Sequence, residues 1–472
     1  MKKFYITAAI PYVNAKPHIG HALEYIQGDV IARYHNLLGD KTTYLSGGDE
    51  NALKNVQAAE KAGVEIQKFV DQNSQAFKEM AEKLHVQFDV FFKGSDKERH
   101  YPATQKLWNL CDAAGDIYKK TYKGLYCVGC EAFYTPDELD ENGECFEHPG
   151  KKLEEVEEEN YFFRLSRYQE KLIQLIESDE YKITPTSRKN EVLSFLKQPL
   201  QDLSISRSNE RARNWGVPVP EDPSQRIYVW FDALNIYQSG VGFGWDEEKY
   251  KEYWPADLHV IGKGIIRFHA IYLPAFLLSA GLQLSKALFV HEYITVEGKK
   301  MSKTVGNVLD PIPLAEEYGA ETLRYYLLAK LSPFSDGDFS EEKFKETINA
   351  DLANGLGNLV ARVAKLCEQN QIKGVTRNLA MAKEVGSLIE SYKLNEALGF
   401  IWGQITEADK KINEEKPWEL SEEKVKPILE DLISRIQQIA FNLKPFLPET
   451  SEKIISQFSG TIKSQAPLFP RI

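Results

Sequence analysis

Two histidines near the start of the chain stand where phosphate chemistry is possible. His18 and His21 lie three residues apart around Gly20, after an apolar strand pattern and at the start of a helix pattern. N–H groups at a helix N-terminus favour anions, imidazoles can donate to phosphate oxygens, and glycine allows close approach of a nucleotide. The alternatives are an ordinary helix start with two surface histidines, or a zinc pair.

A second stretch, GKKMSKT at 298–304, places three lysines within five positions behind Gly298. A glycine-tethered loop with Lys300 and Lys303 can wrap a polyphosphate and neutralise the charge that builds up during transfer. Taken alone, the stretch also fits an ordinary basic surface loop.

Two ligand pairs suggest a metal site in the middle of the chain. Cys127 and Cys130 form one C-x-x-C pair, and Cys145 and His148 form a C-x-x-H pair. Four such ligands give a closed tetrahedral set that suits structural Zn²⁺ and leaves no position open for catalysis. Free cysteines in a loop are the alternative. Clustered cysteines indicate a metal site in a reducing cytoplasm rather than a disulfide framework.

The elements around these residues predict an α/β fold with later helical additions. An apolar strand at 4–10, a helix from about Ile19 to Leu38 and a second strand with its loop at 42–50 predict a parallel sheet. Short β patterns surround the cysteines, strands resume at 226, and a turn-rich stretch at 332–340 precedes helical periodicity. The predicted domains are a doubly wound, Rossmann-like catalytic domain in two halves (1–116 and 222–331), a zinc-bearing insertion (117–221) and an α-helical bundle (332–472).

The composition of the chain disfavours several classes of protein. The net charge of −11 argues against broad nonspecific nucleic-acid binding but leaves room for a local basic strip. The N-terminus fits a strand rather than a signal peptide, and no apolar stretch is long enough for a membrane span. We therefore expect a cytoplasmic protein that does not enter a membrane.

The histidine stretch and the lysine loop together resemble HIGH and KMSKS, the two signatures of class I aminoacyl-tRNA synthetases. The first is intact, and the second reads KMSKT, with Thr304 where serine is usual. The resemblance to the methionyl family covers essentially the whole chain, through AAIPYVNAKPHIGHAL (8–23), NWGVPVP (214–220), IYVWFDALNIY (227–237), IGKGIIRFHAIYLPA (261–275) and KPW (416–418).

That resemblance implies roles for individual residues. Asp49 would hold the α-amino group of L-methionine, and Asn358, Arg362 and Trp418 would read the anticodon of tRNA(Met). The methionine side chain would contact Ile10, Tyr12, Trp230, Ala233, Tyr237 and His269. ATP, accompanied by Mg²⁺, would contact His18, Gly20, His21, Lys300, Met301, Ser302 and Lys303. A soft, aromatic wall suits a thioether, and an ammonium needs a carboxylate.

The sequence departs from the family pattern at several places. Gly264 replaces an aspartate, Leu273 a tryptophan, Glu292 a glycine and Asn51 a histidine. These departures bear on pocket detail and leave the principal positions intact.

The implied reaction is ATP-dependent activation of methionine, followed by acyl transfer to the 3′ end of tRNA(Met) by a methionine–tRNA ligase. A class I synthetase for another amino acid and a noncatalytic tRNA-binding paralogue remain as alternatives. The paralogue is disfavoured because His18, His21, Lys300 and Lys303 are intact. We expect a monomer, since no appended tRNA-binding domain follows.

Overall fold

The protein is described by a computed structural model that covers residues 2–127, 132–134, 139–145, 150–301 and 306–472. The strands are β1 (Lys3–Ala8), β2 (Lys41–Gly48), β3 (Val90–Lys93), β4 (Ile117–Cys127), β5 (Ala132–Tyr134), β6 (Glu154–Phe163), β7 (Lys182–Thr184), β8 (Leu203–Ser204), β9 (Ser206–Ser208), β10 (Pro218–Val219), β11 (Asp222–Ile227), β12 (Leu258–Gly262), β13 (Ala287–His291), β14 (Ile294–Val296), β15 (Lys299–Lys300), β16 (Gly337–Phe339), β17 (Lys373–Gly374) and β18 (Gly460–Thr461).

The α-helices are α1 (Ile19–Leu37), α2 (Leu53–Ala62), α3 (Ile66–Lys83), α4 (His100–Ala113), α5 (Gln169–Glu177), α6 (Thr186–Leu196), α7 (Val229–Ala233), α8 (Ile236–Ser239), α9 (Glu247–Tyr253), α10 (Leu273–Ser279), α11 (Pro311–Tyr318), α12 (Ala320–Ala329), α13 (Glu341–Thr347), α14 (Asn358–Gln369), α15 (Lys383–Glu390), α16 (Leu394–Glu415), α17 (Glu422–Leu443) and α18 (Pro448–Gln457). Two wider π-helical segments, Phe268–Tyr272 and Ile348–Gly357, precede α10 and α14.

The chain divides into two compact units. The sheet unit comprises Met1–Pro17, Asp40–Glu79 and Gln87–His291, and the helical unit comprises His18–Gly39, Met80–Val86 and Glu292–Ile472. Helix α1 therefore belongs to the helical unit, although it lies between β1 and β2 in sequence.

A parallel sheet forms the centre of the sheet unit. Among the described residues its strand order is β3-β2-β1-β12-β13-β7, and every neighbouring pair is parallel. β1 is buried along nearly its whole length, as expected for a strand covered on both faces. The order switches direction between β1 and β12, and open α/β sheets bind ligands at the carboxyl edge of such a point.

Antiparallel strands make up much of the region predicted as an insertion. β4 pairs with β6 from Ile117 opposite Phe163 to Tyr126 opposite Glu154, within the order β5-β4-β6-β8. The short strand β7, from the same stretch of sequence, joins the edge of the parallel sheet. The domain boundaries themselves stay predictions.

The helical unit is built from amphipathic helices. In α14, for example, Leu359, Val363 and Cys367 are buried, whereas Asn358 and Arg362 are partly exposed. The predicted fold class, a parallel α/β sheet followed by an α-helical C-terminal region, is confirmed. No helix within the described part of the chain is long and apolar enough to cross a membrane.

Candidate active site

The ends of β1 and β2 bring two predicted methionine-binding residues together. Tyr12 and Asp49 form a parallel bridge just beyond these neighbouring strands, and the Asp49 N–H donates to Pro11 O at 2.9 Å. Asp49 is 2% exposed. Its carboxylate thus lies at the carboxyl edge of the sheet beside the switch point, where an ammonium group can be recognised.

Aromatic rings stand next to this strand end. Tyr12 meets Trp230 edge to face, with ring centroids 5.9 Å apart, and Trp230 meets His269 in the same way at 6.4 Å. Phe268 stacks flat on Trp230 at 3.6 Å. Phe268 was not among the predicted contacts, although its place beside His269 in the FHAIY stretch was a usable signal.

Hydrogen bonds fix the tautomer of His269. Its Nδ1 lies 2.9 Å from Ile265 O and must donate there, so Nε2 accepts from the Tyr237 hydroxyl at 2.8 Å. Burial lowers the pKa of His269 to about 4, against a smaller opposing effect of the Ile265 hydrogen bond. The ring is therefore uncharged near neutral pH, and a neutral, polarisable wall suits a thioether.

The two aliphatic members of the predicted methionine set are also buried. Ile10 follows β1, and Ala233 lies three residues after Trp230 on α7. Lys54, which was not predicted, places its Nζ 3.2 Å from the centre of the Tyr12 ring.

In the helical unit, His18 and His21 form a reciprocal cap on α1. The Gly20 N–H donates to His18 Nδ1 at 3.1 Å, and the His18 N–H donates to His21 Nδ1 at 3.2 Å. Both rings accept at Nδ1 and so carry a proton on Nε2, and they stack with centroids 3.8 Å apart. This geometry supplies two imidazole N–H donors at a helix N-terminus, where anions are favoured.

The lysine loop begins beside this cap. A Cβ atom at Gly20 would lie 3.7 Å from Met301 Cε, and the Ile19 N–H donates to Leu309 O at 2.9 Å. The turn between β14 and β15 needs positive φ at Gly298, whose N–H donates to Asp338 Oδ1 at 2.7 Å. Lys300 is exposed. Ser302, Lys303 and Thr304 lie outside the described residues.

Two of the four predicted zinc ligands are brought together in the sheet unit. Cys127 Sγ and Cys145 Sγ lie 3.3 Å apart, and both side chains are buried. That separation is too long for a disulfide bond of about 2.05 Å and short enough for one ion with Zn–S bonds of about 2.3 Å. Cys130 and His148 lie outside the described residues.

The predicted anticodon residues lie on α14 and just after α16. Arg362 donates to Asp409 Oδ1 at 2.6 Å and to Asn413 Oδ1 at 2.8 Å, one turn from Asn358. Trp418, which follows the end of α16, is 54% exposed.

The departures from the family pattern occupy ordinary positions. Gly264 lies in a short 3₁₀ turn after β12, Leu273 is buried at the start of α10, and Glu292 is buried and donates its N–H to Pro333 O at 3.2 Å. Asn51 is buried, and its Nδ2 donates to Asp232 Oδ2 at 2.7 Å.

The fold and these groups of residues define a class I aminoacyl-tRNA synthetase, and comparison with known proteins gives the same class. The family model described as tRNA synthetases class I (M) matches residues 4–364, and the chain belongs to this family.

Named relatives agree with this assignment. The chain is 40% identical to the methionine–tRNA ligase of Thermotoga maritima, over 97% of this chain and 75% of the relative, and 41% identical to that of Brucella suis, over 96% and 91%. A solved structure of the Mycobacterium tuberculosis methionyl-tRNA synthetase in complex with methionyl-adenylate matches with a TM-score of 0.93 and 38% identity, covering 100% of both chains. The predicted enzyme, a methionine–tRNA ligase, is thereby confirmed.

Proposed function

We propose that this chain joins L-methionine to tRNA(Met) through methionyl-adenylate, with the predicted residues in the roles that follow. The observation that carries the assignment of the amino acid is the neutral aromatic wall of Tyr12, Trp230, Tyr237 and His269 beside the buried Asp49. Asp49 binds the α-amino group, and the wall, with Ile10 and Ala233, surrounds the thioether.

In the first step a methionine carboxylate oxygen attacks the α-phosphorus of ATP, and the bond to the β-phosphate oxygen breaks. In the second, a hydroxyl at the tRNA 3′ end attacks the acyl carbonyl, and AMP leaves. Positioning and charge stabilisation carry such reactions, so no covalent enzyme nucleophile is needed.

The phosphate roles follow from the donor geometry. The Nε2–H groups of His18 and His21 donate to the α-phosphate region, and Gly20 permits close approach of the nucleotide. Lys300 and Lys303 neutralise the departing pyrophosphate, with Met301 and Ser302 completing the loop. Mg²⁺ would accompany ATP and would shield the charge of its phosphates.

The metal role is structural. Cys127, Cys130, Cys145 and His148 would hold one Zn²⁺, supported by the two buried sulfurs 3.3 Å apart. A closed set of four ligands stabilises the inserted strands and takes no part in the reaction.

The tRNA role belongs to the helical region. The amide of Asn358 and the guanidinium of Arg362 can bond to unstacked base edges, and the exposed ring of Trp418 offers a stacking face. The exposure of Trp418 favours recognition over packing of the bundle. A cytoplasmic monomer remains our expectation.

Methionine-dependent exchange of labelled pyrophosphate into ATP, run against a panel of amino acids, tests the proposal. We expect exchange with methionine and little with leucine, isoleucine, valine or cysteine. Lys303→Ala should slow exchange by about 10²–10³-fold, the usual effect of losing one transition-state charge contact.

Lys299→Ala is the matched control from the same loop and should stay close to the wild type. Preference for another amino acid, or no exchange at all, would contradict the proposal. Near-normal exchange by the Lys303→Ala variant would show that Lys303 does not neutralise the departing pyrophosphate.

A further inference from the structure

A buried polar network connects the two chain segments that carry the proposed methionine contacts. Asp232 lies on α7 between Trp230 and Ala233 and is 2% exposed. Its Oδ1 accepts from His100 Nε2 at 2.7 Å and from Thr104 Oγ1 at 3.1 Å. Asp232 and these hydrogen-bond partners all belong to the sheet unit.

Asn51 completes the network from the other segment. It lies two residues after Asp49, and its Nδ2 donates both to Asp232 Oδ2 and to Gly94 O, each at 2.7 Å. The Tyr101 hydroxyl donates to Asn51 Oδ1 at 3.3 Å. Both amide hydrogens are used, so the side chain has a single favourable orientation.

The group of Ser239, His100 and Asp232 resembles a hydrolytic triad in its spacing, since His100 Nδ1 lies 2.7 Å from Ser239 Oγ. Ser239 and His100 are fully buried, however, and Asp232 uses both oxygens within the network. A nucleophile must reach its substrate, so this group holds structure in place rather than performing chemistry.

We propose that Asn51 and Asp232 are positioning residues for methionine. Their hydrogen bond holds the segment that contains Asp49 in a fixed position relative to α7. Asp49 binds the amino group, and α7 carries Trp230 and Ala233. This inference rests on the proposed roles of Asp49 and Trp230. Neither Asn51 nor Asp232 touches the substrate in this assignment; they act by keeping the two halves of its site in register, where a shift of about 1 Å can cost a hundredfold in rate.

The amide at position 51 is a departure of this chain from the family's usual histidine. A neutral histidine has one ring N–H, whereas the Asn51 amide reaches two acceptors with one nitrogen. Because the Asn51 amide serves both acceptors, a change to this side chain should be visible in methionine binding.

Asn51→Asp tests the inference by placing a second carboxylate against Asp232. A second carboxylate in buried contact with the first is harder to ionise, and the two can share a hydrogen bond only while the pair retains a proton. We expect the KM for methionine to rise by ~10–100-fold at pH 8 and to recover at pH 6, with the KM for ATP within about twofold of the wild type. The charged and titratable groups around this point, His100, Tyr101, Glu50 and Arg226, are unchanged in the variant.

Two further variants complete the experiment. Asp232→Asn removes the carboxylate and should raise the methionine KM at every pH, and it replaces Asn51→Asp if the latter does not fold. Asn160→Asp is the matched control, a buried amide on β6 outside this network. It should affect thermal stability but leave the methionine KM unchanged.

The outcomes are distinguishable. Equal changes in the two KM values, or a methionine KM that stays at the wild-type value, would overturn the positioning role. If the wild type itself shows no methionine-dependent exchange, the proposed function fails instead.

Discussion

At the scale of single residues, two buried histidines should make the stability of the sheet unit depend on pH. His259 lies between Thr7 Oγ1 at 2.6 Å and Ser285 Oγ at 2.7 Å, and its ring is 6.3 Å from that of His269. Burial lowers the pKa of His259 well below its usual value, and the nearby His269 lowers it further. Burial likewise lowers the pKa of His269 to about 4.

These depressed pKa values predict how stability depends on pH. An unfolded histidine titrates near 6.5, so between pH 6.5 and about 4 the unfolded chain binds protons that the folded chain does not. The contribution of these two histidines to stability is therefore fully present above pH 6.5 and is lost as pH drops through this window. Urea unfolding from pH 7 to pH 5 should show this loss, and His269→Gln should make the slope shallower. Parallel slopes for the two proteins would contradict the assignment.

At the scale of elements, one buried arginine joins the helices of the helical unit. Arg324 on α12 is fully buried and donates to Asp29 on α1 at 2.7 Å, and to the backbone carbonyls of Leu84 at 3.0 Å and Phe446 at 2.9 Å. Arg33 also donates to Asp29, at 2.8 Å. Helix α1 is thus anchored near its middle, at Asp29.

Removing this arginine should be destabilising because it takes away a buried cation that pairs with the buried Asp29 carboxylate. We expect Arg324→Met to lower the free energy of unfolding by about 3 kcal/mol, at the low end of the range because Arg33 still pairs with Asp29. Arg435→Met, which breaks an exposed ion pair with Asp431, should cost less than about 1 kcal/mol. If the two variants lose similar free energies of unfolding in urea, Arg324 does not anchor the helical unit.

The predicted zinc site belongs to the region predicted as an insertion. Structural zinc contributes free energy of folding, so chelation should loosen the insertion. Elemental analysis should find one zinc per chain, absent from Cys127→Ala and Cys145→Ala. Cys367→Ala alters a buried cysteine on α14 and should keep the metal. Metal-free wild-type protein, or loss of zinc from the control, would count against the site.

The sequence predicts the structure best where hydrophobic periodicity extends over many residues. The helix expected from Ile19 to Leu38 is observed as Ile19–Leu37, and the helical C-terminal region follows from its amphipathic repeats. The three-residue strand β7 is too short to give a periodic signal, and its place at the sheet edge depends on tertiary packing. Trp230 and His269 are implied by the family resemblance, whereas the contacts of Lys54 and Asp232 depend on side-chain placement that no local pattern encodes.

At the scale of the whole molecule, amino acid activation and anticodon recognition should be separable by mutation. Trp418→Ala should cost ~1–3 kcal/mol of tRNA binding, typical of stacking on a base. That corresponds to a roughly five- to 150-fold fall in charging efficiency at about 1.4 kcal/mol per decade. Methionine-dependent pyrophosphate exchange should stay normal, and Trp418→Phe should be milder.

Anticodon-swapped tRNAs distinguish recognition from packing. If Trp418 reads the anticodon, the alanine variant should lose preference for CAU; if the ring only packs the bundle, binding should fall whatever the anticodon. An alanine variant with the full wild-type preference for CAU would rule out the anticodon role.

The most direct test of the account as a whole is charging of purified CAU-bearing tRNA with labelled methionine by the wild-type chain. We expect ATP-dependent formation of an ester at the tRNA 3′ end, with one AMP and one pyrophosphate released per methionine joined. Methionine-dependent exchange without any ester, or an ester formed with another amino acid in preference to methionine, would contradict it.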